Sequence, residues 1–251
     1  MKNKVILGDC LEVMKDIEDK SIDMILCDLP YGTTACKWDT IIPFDKLWEQ
    51  YKRIIKDNGA IVLTASQPFT SALVMSNPDM FKYCLVYEKS KATNYLQAKK
   101  QVMKYHEDIC IFYKNQCIYN PQMVKGEPYK KIHRKGNKDD AVYHKDTRNN
   151  GDIFENKGER YPSSIVKFKN PSGRGQLHPT QKPVELFEYL IKTYTNENDL
   201  VLDNCAGSGT CGVACINTKR NYILIEKEKE YYDIILKRIK EAEDLEKSKL
   251  F

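Results

Sequence analysis

Ile22-Asp23-Met24-Ile25-Leu26-Cys27-Asp28-Leu29-Pro30-Tyr31-Gly32 is the stretch on which the reading of this chain turns. Residues 22–27 are almost all apolar, as in a central parallel strand covered on both faces. Asp28, Leu29, Pro30, Tyr31 and Gly32 then fall at the C-terminal edge of that strand, where open α/β sheets bind ligands. A carboxylate there accepts hydrogen bonds and a neighbouring ring stacks. Together they suit a planar heterocycle carrying an exocyclic amine.

Working outward, short apolar runs alternate with helix-spaced ones. Strands are predicted over 5–7, 22–27, 60–64, 81–87, 108–113, 200–203 and 222–226. Helices are predicted over 9–16, 44–56, from Gln67-Pro68-Phe69, and over 184–194, 210–217 and 228–247. Asn58-Gly59 reads as the stop of the second helix, and 88–107 as a polar connection. This alternation specifies an α/β fold with a mostly parallel sheet and helices on both faces. From 119 to 177 the periodicity fails. An unstructured stretch that long inside a compact domain is uncommon unless it is functional, so it reads as an inserted recognition segment. The expected division is 1–120, an inserted basic segment 121–176, and 177–251.

With 251 residues, 29.2 kDa and 41% apolar content, one sizeable α/β core is within reach. No apolar run approaches the roughly 20 residues of a membrane span. The N-terminus enters strand-like sequence without a signal-peptide profile, so no membrane association and a cytoplasmic location are expected. Nine scattered cysteines include no Cys-x-x-Cys pair. Cys211 and Cys215 lie one helical turn apart with no histidine nearby; they read as small packing residues rather than a metal pair. His133 and His144 read as loop histidines, and no metal is called for.

The net charge of +5 is concentrated: 121–171 holds twelve basic and seven acidic residues, an excess equal to that of the whole chain. Such a stretch suits a polyanion, or is a solvated lysine-rich loop.

A second site follows from Val201-Leu202-Asp203-Asn204-Cys205-Ala206-Gly207-Ser208-Gly209-Thr210, which reads as strand, glycine turn and helix start. Gly207-x-Gly209-x-x-Gly212 matches the dinucleotide pattern, a weak signal alone. Asp203 at the strand end would repel a pyrophosphate but suits an ammonium. Glu226, about 20 residues beyond the loop, ends the next strand where an acid accepts from ribose hydroxyls. An ammonium, a carboxylate and a ribose without phosphate describe S-adenosylmethionine better than NAD.

Taken together, Gly8-Asp9-Cys10, Asp28-Leu29-Pro30-Tyr31-Gly32, His106-Glu107, His178-Pro179-Thr180-Gln181-Lys182-Pro183, Asp203 with Gly207-Ser208-Gly209-Thr210, and Glu226 resemble the β-class DNA amino-methyltransferases. In that family the Asp-Pro-Pro-Tyr catalytic segment precedes the recognition region and the cofactor loop comes last. The resemblance implies a Rossmann-like, S-adenosylmethionine-dependent methyltransferase fold with an antiparallel edge hairpin and a circularly permuted motif order. It implies catalysis by Asp28, Leu29 (through its carbonyl), Pro30 and Tyr31. It places the cofactor among Asp9, Cys10, Asp28, Thr180, Lys182, Asp203, Cys205, Gly207, Ser208, Gly209, Thr210 and Glu226, with Lys182 pairing to the methionine carboxylate. Double-stranded DNA is the implied partner, met by Lys125, Lys130, Lys131, Arg134, Lys135, Arg148 and Arg174, and a homodimer is the family habit. Aspartate at 28 favours adenine N6, since cytosine-N4 members usually carry serine there. An RNA adenine or DNA cytosine-N4 methyltransferase and a non-catalytic nucleic-acid-binding subunit are the alternatives. Two departures stand out. Leu29 replaces a proline, and Asn204-Cys205 replaces Pro-Phe.

Overall fold

The computed structural model describes residues 2–34, 36, 38–132, 151–170 and 181–248. From the N-terminus come β1 (Lys4–Leu7), α1 (Cys10–Val13), β2 (Ile22–Asp28), α2 (Phe44–Ile54), β3 (Ile55–Ala65), α3 (Phe69–Ser76), β4 (Phe81–Thr93) and β5 (Lys104–Phe112). After them come β6 (Val124–Lys125), β7 (Tyr129–Ile132), β8 (Ile153–Asn156), β9 (Glu159–Arg160) and β10 (Ile165–Phe168). The chain closes with α4 (Val184–Tyr194), β11 (Leu200–Asp203), α5 (Thr210–Asn217), β12 (Asn221–Glu226) and α6 (Lys229–Ser248).

Eight strands form one sheet in the order β1-β12-β11-β2-β3-β5-β4-β10. The first five run parallel, and β5 runs antiparallel to both β3 and β4. Strand β2 shows why its middle, Met24 to Cys27, is wholly apolar. Ile25 and Cys27 face one layer, against Leu47, Tyr51 and Ile54 of α2 and Phe69 of α3. Met24 and Leu26 face the other, against Leu186 and Leu190 of α4 and Cys211 and Cys215 of α5. A side-chain period of two with both faces covered leaves no room for solvent. Each fully buried large side chain here contributes about 1.5–3 kcal/mol of transfer free energy.

Several elements differ from their sequence-based expectations. Helix α2 ends at Ile54, and β3 begins at once with Ile55 opposite Ile22. A register shift between Ile22 and Met24 absorbs the extra residues, and a Cβ at Gly59 would lie 2.8 Å from the Asp23 carbonyl. Gly59 therefore permits close strand approach and is not a helix stop. The polar connection 88–107 is largely hairpin, since β4 runs to Thr93 and pairs with Lys104. Beyond the sheet both its faces meet solvent, so no hydrophobic alternation marks it. The hairpin is also not the sheet edge: β10, inside the segment expected to be inserted, pairs in parallel with β4. Only Val166 of β10 is buried, too little to show a period.

The chain divides into two compact units, Met1–Asn120 with Ser164–Phe251, and Pro121–Ser163. The second holds two small antiparallel pairs, β6 with β9 and β7 with β8. Arg160 stacks its guanidinium over Tyr129 at 4.7 Å, and Tyr129 packs on Phe154. Among the described residues no helix is long and apolar enough to cross a membrane.

Candidate active site

Parallel pairing brings the carboxyl ends of the strands to one edge. Leu7 lies opposite Glu226, Asp203 opposite Leu224, and Asp28 opposite Thr64. Over that edge opens a cavity of about 880 Å³, walled on one side by Asp28 and Tyr31 and on the other by Asp203, Gly207 and Glu226. The size is ordinary for a small-molecule site.

On the first side, Tyr31 Oη donates to Asp28 Oδ1 at 2.7 Å, and the Thr64 hydroxyl donates to the same oxygen. Lys182 Nζ donates to Asp28 Oδ2 at 2.6 Å. The same ammonium stands 3.2 Å from Glu107 Oε2, an ion-pair distance without hydrogen-bond geometry. Lys89 holds the other oxygen of Glu107. A largely buried chain of alternating charge results: Asp28, Lys182, Glu107, Lys89. Burial alone would depress Lys182, but Asp28 and Glu107 overturn that and hold its pKa well above the ordinary lysine value. Burial would likewise raise Glu107, and the two ammoniums pull it below the usual carboxylate range. The Tyr31 hydroxyl is pushed well up by burial and then by Asp28 and Glu107, so it stays a donor. Its ring stacks on Phe69 with centroids 5.1 Å apart.

The turn after Tyr31 is shaped by one carboxylate. Gly32 takes φ +68°, and the backbone N–H groups of Gly32, Thr33 and Thr34 donate to Asp39 at 2.8, 2.9 and 2.6 Å. Burial opposes ionisation of Asp39, but the Thr34 hydroxyl and these three N–H groups prevail and lower its pKa.

On the second side, Asp203 is 3% exposed and accepts from Cys205 N at 3.1 Å. Among the described residues it has no cationic partner, and burial pushes its pKa up to about 7. Glu226 accepts from Gly207 N at 2.7 Å and from Glu228 N at 2.8 Å, so it tethers the glycine loop to β12; burial raises its pKa. Gly209 takes φ +79° at the start of α5, where a Cβ would also press on Ile235. Arg238 reaches from α6 and donates to the Ser208 carbonyl at 2.6 Å and its hydroxyl at 3.0 Å. Asp9 caps α1, accepting from Leu11 N at 3.0 Å.

Of the residues singled out from sequence, Asp9, Cys10, Asp28, Leu29, Pro30, Tyr31, Lys182, Asp203, Cys205, Gly207, Ser208, Thr210 and Glu226 line this one cavity. Gly209 is not among the lining residues and packs against Ile235. Lys182, for which pairing with the methionine carboxylate was the implied role, has its ammonium against Asp28 and Glu107. Lys125, Lys130 and Lys131 are exposed on β6 and β7 of the second unit, where Lys130 pairs with Glu155. Thr180, Arg134, Lys135, Arg148 and Arg174 lie outside the described residues, as do His133 and His144. Sequence reasoning missed Thr64, Asp39 and Arg238 and gave Glu107 no task. Only Glu107 carried a signal, as an acid just before the apolar run Ile109–Phe112.

Residues 22–237 match the family model described as DNA methylase. The chain belongs to that family. It is 26% identical to the Type II methyltransferase M.HpaI of Haemophilus parainfluenzae, over 95% of this chain and 74% of that protein. It is 27% identical to M2.MboI of Moraxella bovis, over 93% of this chain and 86% of the relative. A solved M1.HpyAVI–SAM complex superposes with a TM-score of 0.63 at 26% identity, covering 94% of this chain and 98% of that one. For this DNA methylase the second departure from the family pattern has a structural counterpart. Asn204 accepts from Tyr51 Oη at 2.6 Å, and the Cys205 thiol meets those of Cys10 and Cys27.

Proposed function

We propose that this DNA methylase transfers a methyl group from S-adenosylmethionine to the N6 amine of an adenine flipped out of double-stranded DNA at a specific site. The observation that carries the reading is one cavity with an amine-accepting carboxylate beside an aromatic ring on one wall and a buried, cation-less acid with a glycine loop on the other. Asp203 fits the cofactor's ammonium, the Gly207–Thr210 turn lets its backbone pass close, and Glu226 retains lone pairs for ribose hydroxyls. When bound, S-adenosylmethionine supplies an electrophilic methyl group. Everything else falls to the chain.

A base inside a duplex is out of reach and must be extruded, at a cost of a few kcal/mol. Its amine is a poor nucleophile because the lone pair is delocalised into the ring. Asp28 and the Leu29 carbonyl accept its N–H groups and localise that pair, and Tyr31 supports the base. Asp28 is occupied on both oxygens, so the incoming amine displaces Lys182 from Oδ2, with Glu107 at hand to receive it. Most of the acceleration comes from positioning and fixed charges. The basic second unit, with Lys125, Lys130 and Lys131, suits contact with phosphates. Nine free thiols accord with a reducing cytoplasm.

The test is to methylate duplex DNA, digest it to nucleosides and identify the product by mass spectrometry. N6-methyladenine is expected, and N4-methylcytosine would overturn the choice of base. Asp28→Ala should lose about 10²–10³-fold in transfer, the size of a lost stabilising group in such sites, while cofactor affinity is only weakened. Transfer near the wild-type rate would refute the mechanism.

A further inference from the structure

The β4–β5 hairpin runs past the sheet. Asp108 of β5 faces Ala65, the last residue of β3, whereas pairing within the hairpin continues to Thr93 and Lys104. Four further residues carry it roughly 13 Å beyond the carboxyl edge of the parallel strands. Its far end borders the cavity through Thr93, Asn94 and Lys104.

Two features of this projection have no use within the fold. Residues 89–106 contain five lysines and no acid. Lys89 is spent on Glu107, but among the described residues Lys91, Lys99 and Lys100 form no ion pair, and all three are exposed. At the tip, Tyr95 and Leu96 are 73% and 80% exposed. They are displayed by a formed turn, in which Asn94 takes φ +59° and Gln97 N, Ala98 N and Lys100 N donate to Asn94 O, Tyr95 O and Gln97 O at 2.9, 3.1 and 2.8 Å.

We propose that this hairpin is a second DNA-binding element: Lys91, Lys99 and Lys100 hold phosphates flanking the target, and Tyr95 with Leu96 enters the space the extruded base leaves. The inference rests on the base-flipping reading above and extends it to residues outside the basic middle segment. The charge is of one sign and complementary to a polyanion. The tip stands at the mouth of the cavity that takes the base, so the duplex that base has left lies beside it. Apolar side chains can enter and hold open a base step in a deformed duplex.

The experiment uses the full chain and a duplex bearing its methylation site, mapped beforehand by sequencing modified host DNA. Lys99→Gln/Lys100→Gln removes two phosphate contacts, so the slope of log affinity against log salt should shrink by about 1.8. Tyr95→Ala/Leu96→Ala should keep that slope but lose most of the fluorescence rise of 2-aminopurine placed at the target position. Unchanged melting temperature and cofactor affinity establish that both variants fold. If the wild-type chain methylates DNA while the lysine variant keeps its slope and the tip variant keeps its fluorescence, the hairpin proposal is overturned alone. If the wild-type chain binds no duplex, both readings fall. Dissociation of a dimer by the tip changes, with DNA binding intact, would make this surface a subunit contact and also refute the proposal.

Discussion

With Asp203 as the proposed partner of the cofactor's ammonium, cofactor affinity is expected to depend on pH. The carboxyl group lies buried at the end of β11 with no cation beside it, and burial pushes its pKa up to about 7. A cofactor that brings an ammonium binds the ionised form. With a pKa near 7, about one chain in ten is ionised at pH 6 and about one in two at pH 7. Affinity should therefore rise about fivefold between those values, a range in which an α-amino group of pKa about 7.7–8.0 stays mostly protonated. Isothermal titration at pH 6.0, 6.5 and 7.0, repeated in two buffers of different ionisation enthalpy, measures both the affinity and the proton released. Asp203→Asn should bind more weakly and with a flat pH profile; this variant also separates Asp203 from Glu226, which burial raises too. A flat profile in the wild type, or the same slope in the variant, would refute the assignment. Stability carries the opposite sign. An acid whose folded pKa is raised contributes stability that is full below its unfolded value of about 3.9 and lost as pH rises through about 7. At pH 8 Asp203→Asn should melt several degrees above the wild type, and the gap should close in acid.

Three further outcomes are expected. Lys182→Met leaves Asp28 without a cation and Glu107 with Lys89 alone, and should cost about 3–5 kcal/mol in urea unfolding. Glu107 has a lowered pKa that favours folding above its unfolded value near 4.3, and this contribution fades as pH falls through the folded value. The acid limb of the stability curve should accordingly move to higher pH in Lys182→Met, and adding Glu107→Gln should recover part of the loss. Asp39→Ala frees the turn after Tyr31 and should lower kcat at least about tenfold, the loss of about 1.5 kcal/mol from one charge-assisted bond, with cofactor affinity by titration little changed. Gly212→Ala places a Cβ 2.5 Å from Ile239 Cδ1 and 2.6 Å from Leu224 Cδ1, an overpacking that should cost about 1–3 kcal/mol in thermal or urea melts.

The parts of this molecule legible in its sequence are those where one physical demand acts on consecutive residues. Strand β11 and helices α4 and α5 match their expected bounds because burial there is continuous and the glycine turn and Pro183 punctuate them. The acids at strand ends could be placed together because parallel strands deliver their carboxyl ends to one edge. What stayed illegible depends on distant partners. Asp39 looks like any polar loop residue until three N–H groups converge on it. Lys182 fits a carboxylate ligand, but nothing local reveals that Asp28 and Glu107, more than seventy positions away, already hold it. The hairpin and β10 escaped for a simpler reason. Solvated strands carry no alternation, and their pairing is set by backbone groups that every residue possesses.

The position of β2 between β3 and β11 bears on biosynthesis. Met24 finds Ile55–Ala65 soon after it is made, through the Ala60 pairing, but its other neighbour is Val201. A polypeptide emerging from the ribosome must keep one apolar flank of its middle strand unzipped while well over a hundred further residues are translated. Such an open flank invites pairing with other chains, so yield on overexpression should be limited by aggregation during synthesis, and slower translation or chaperone supply should relieve it.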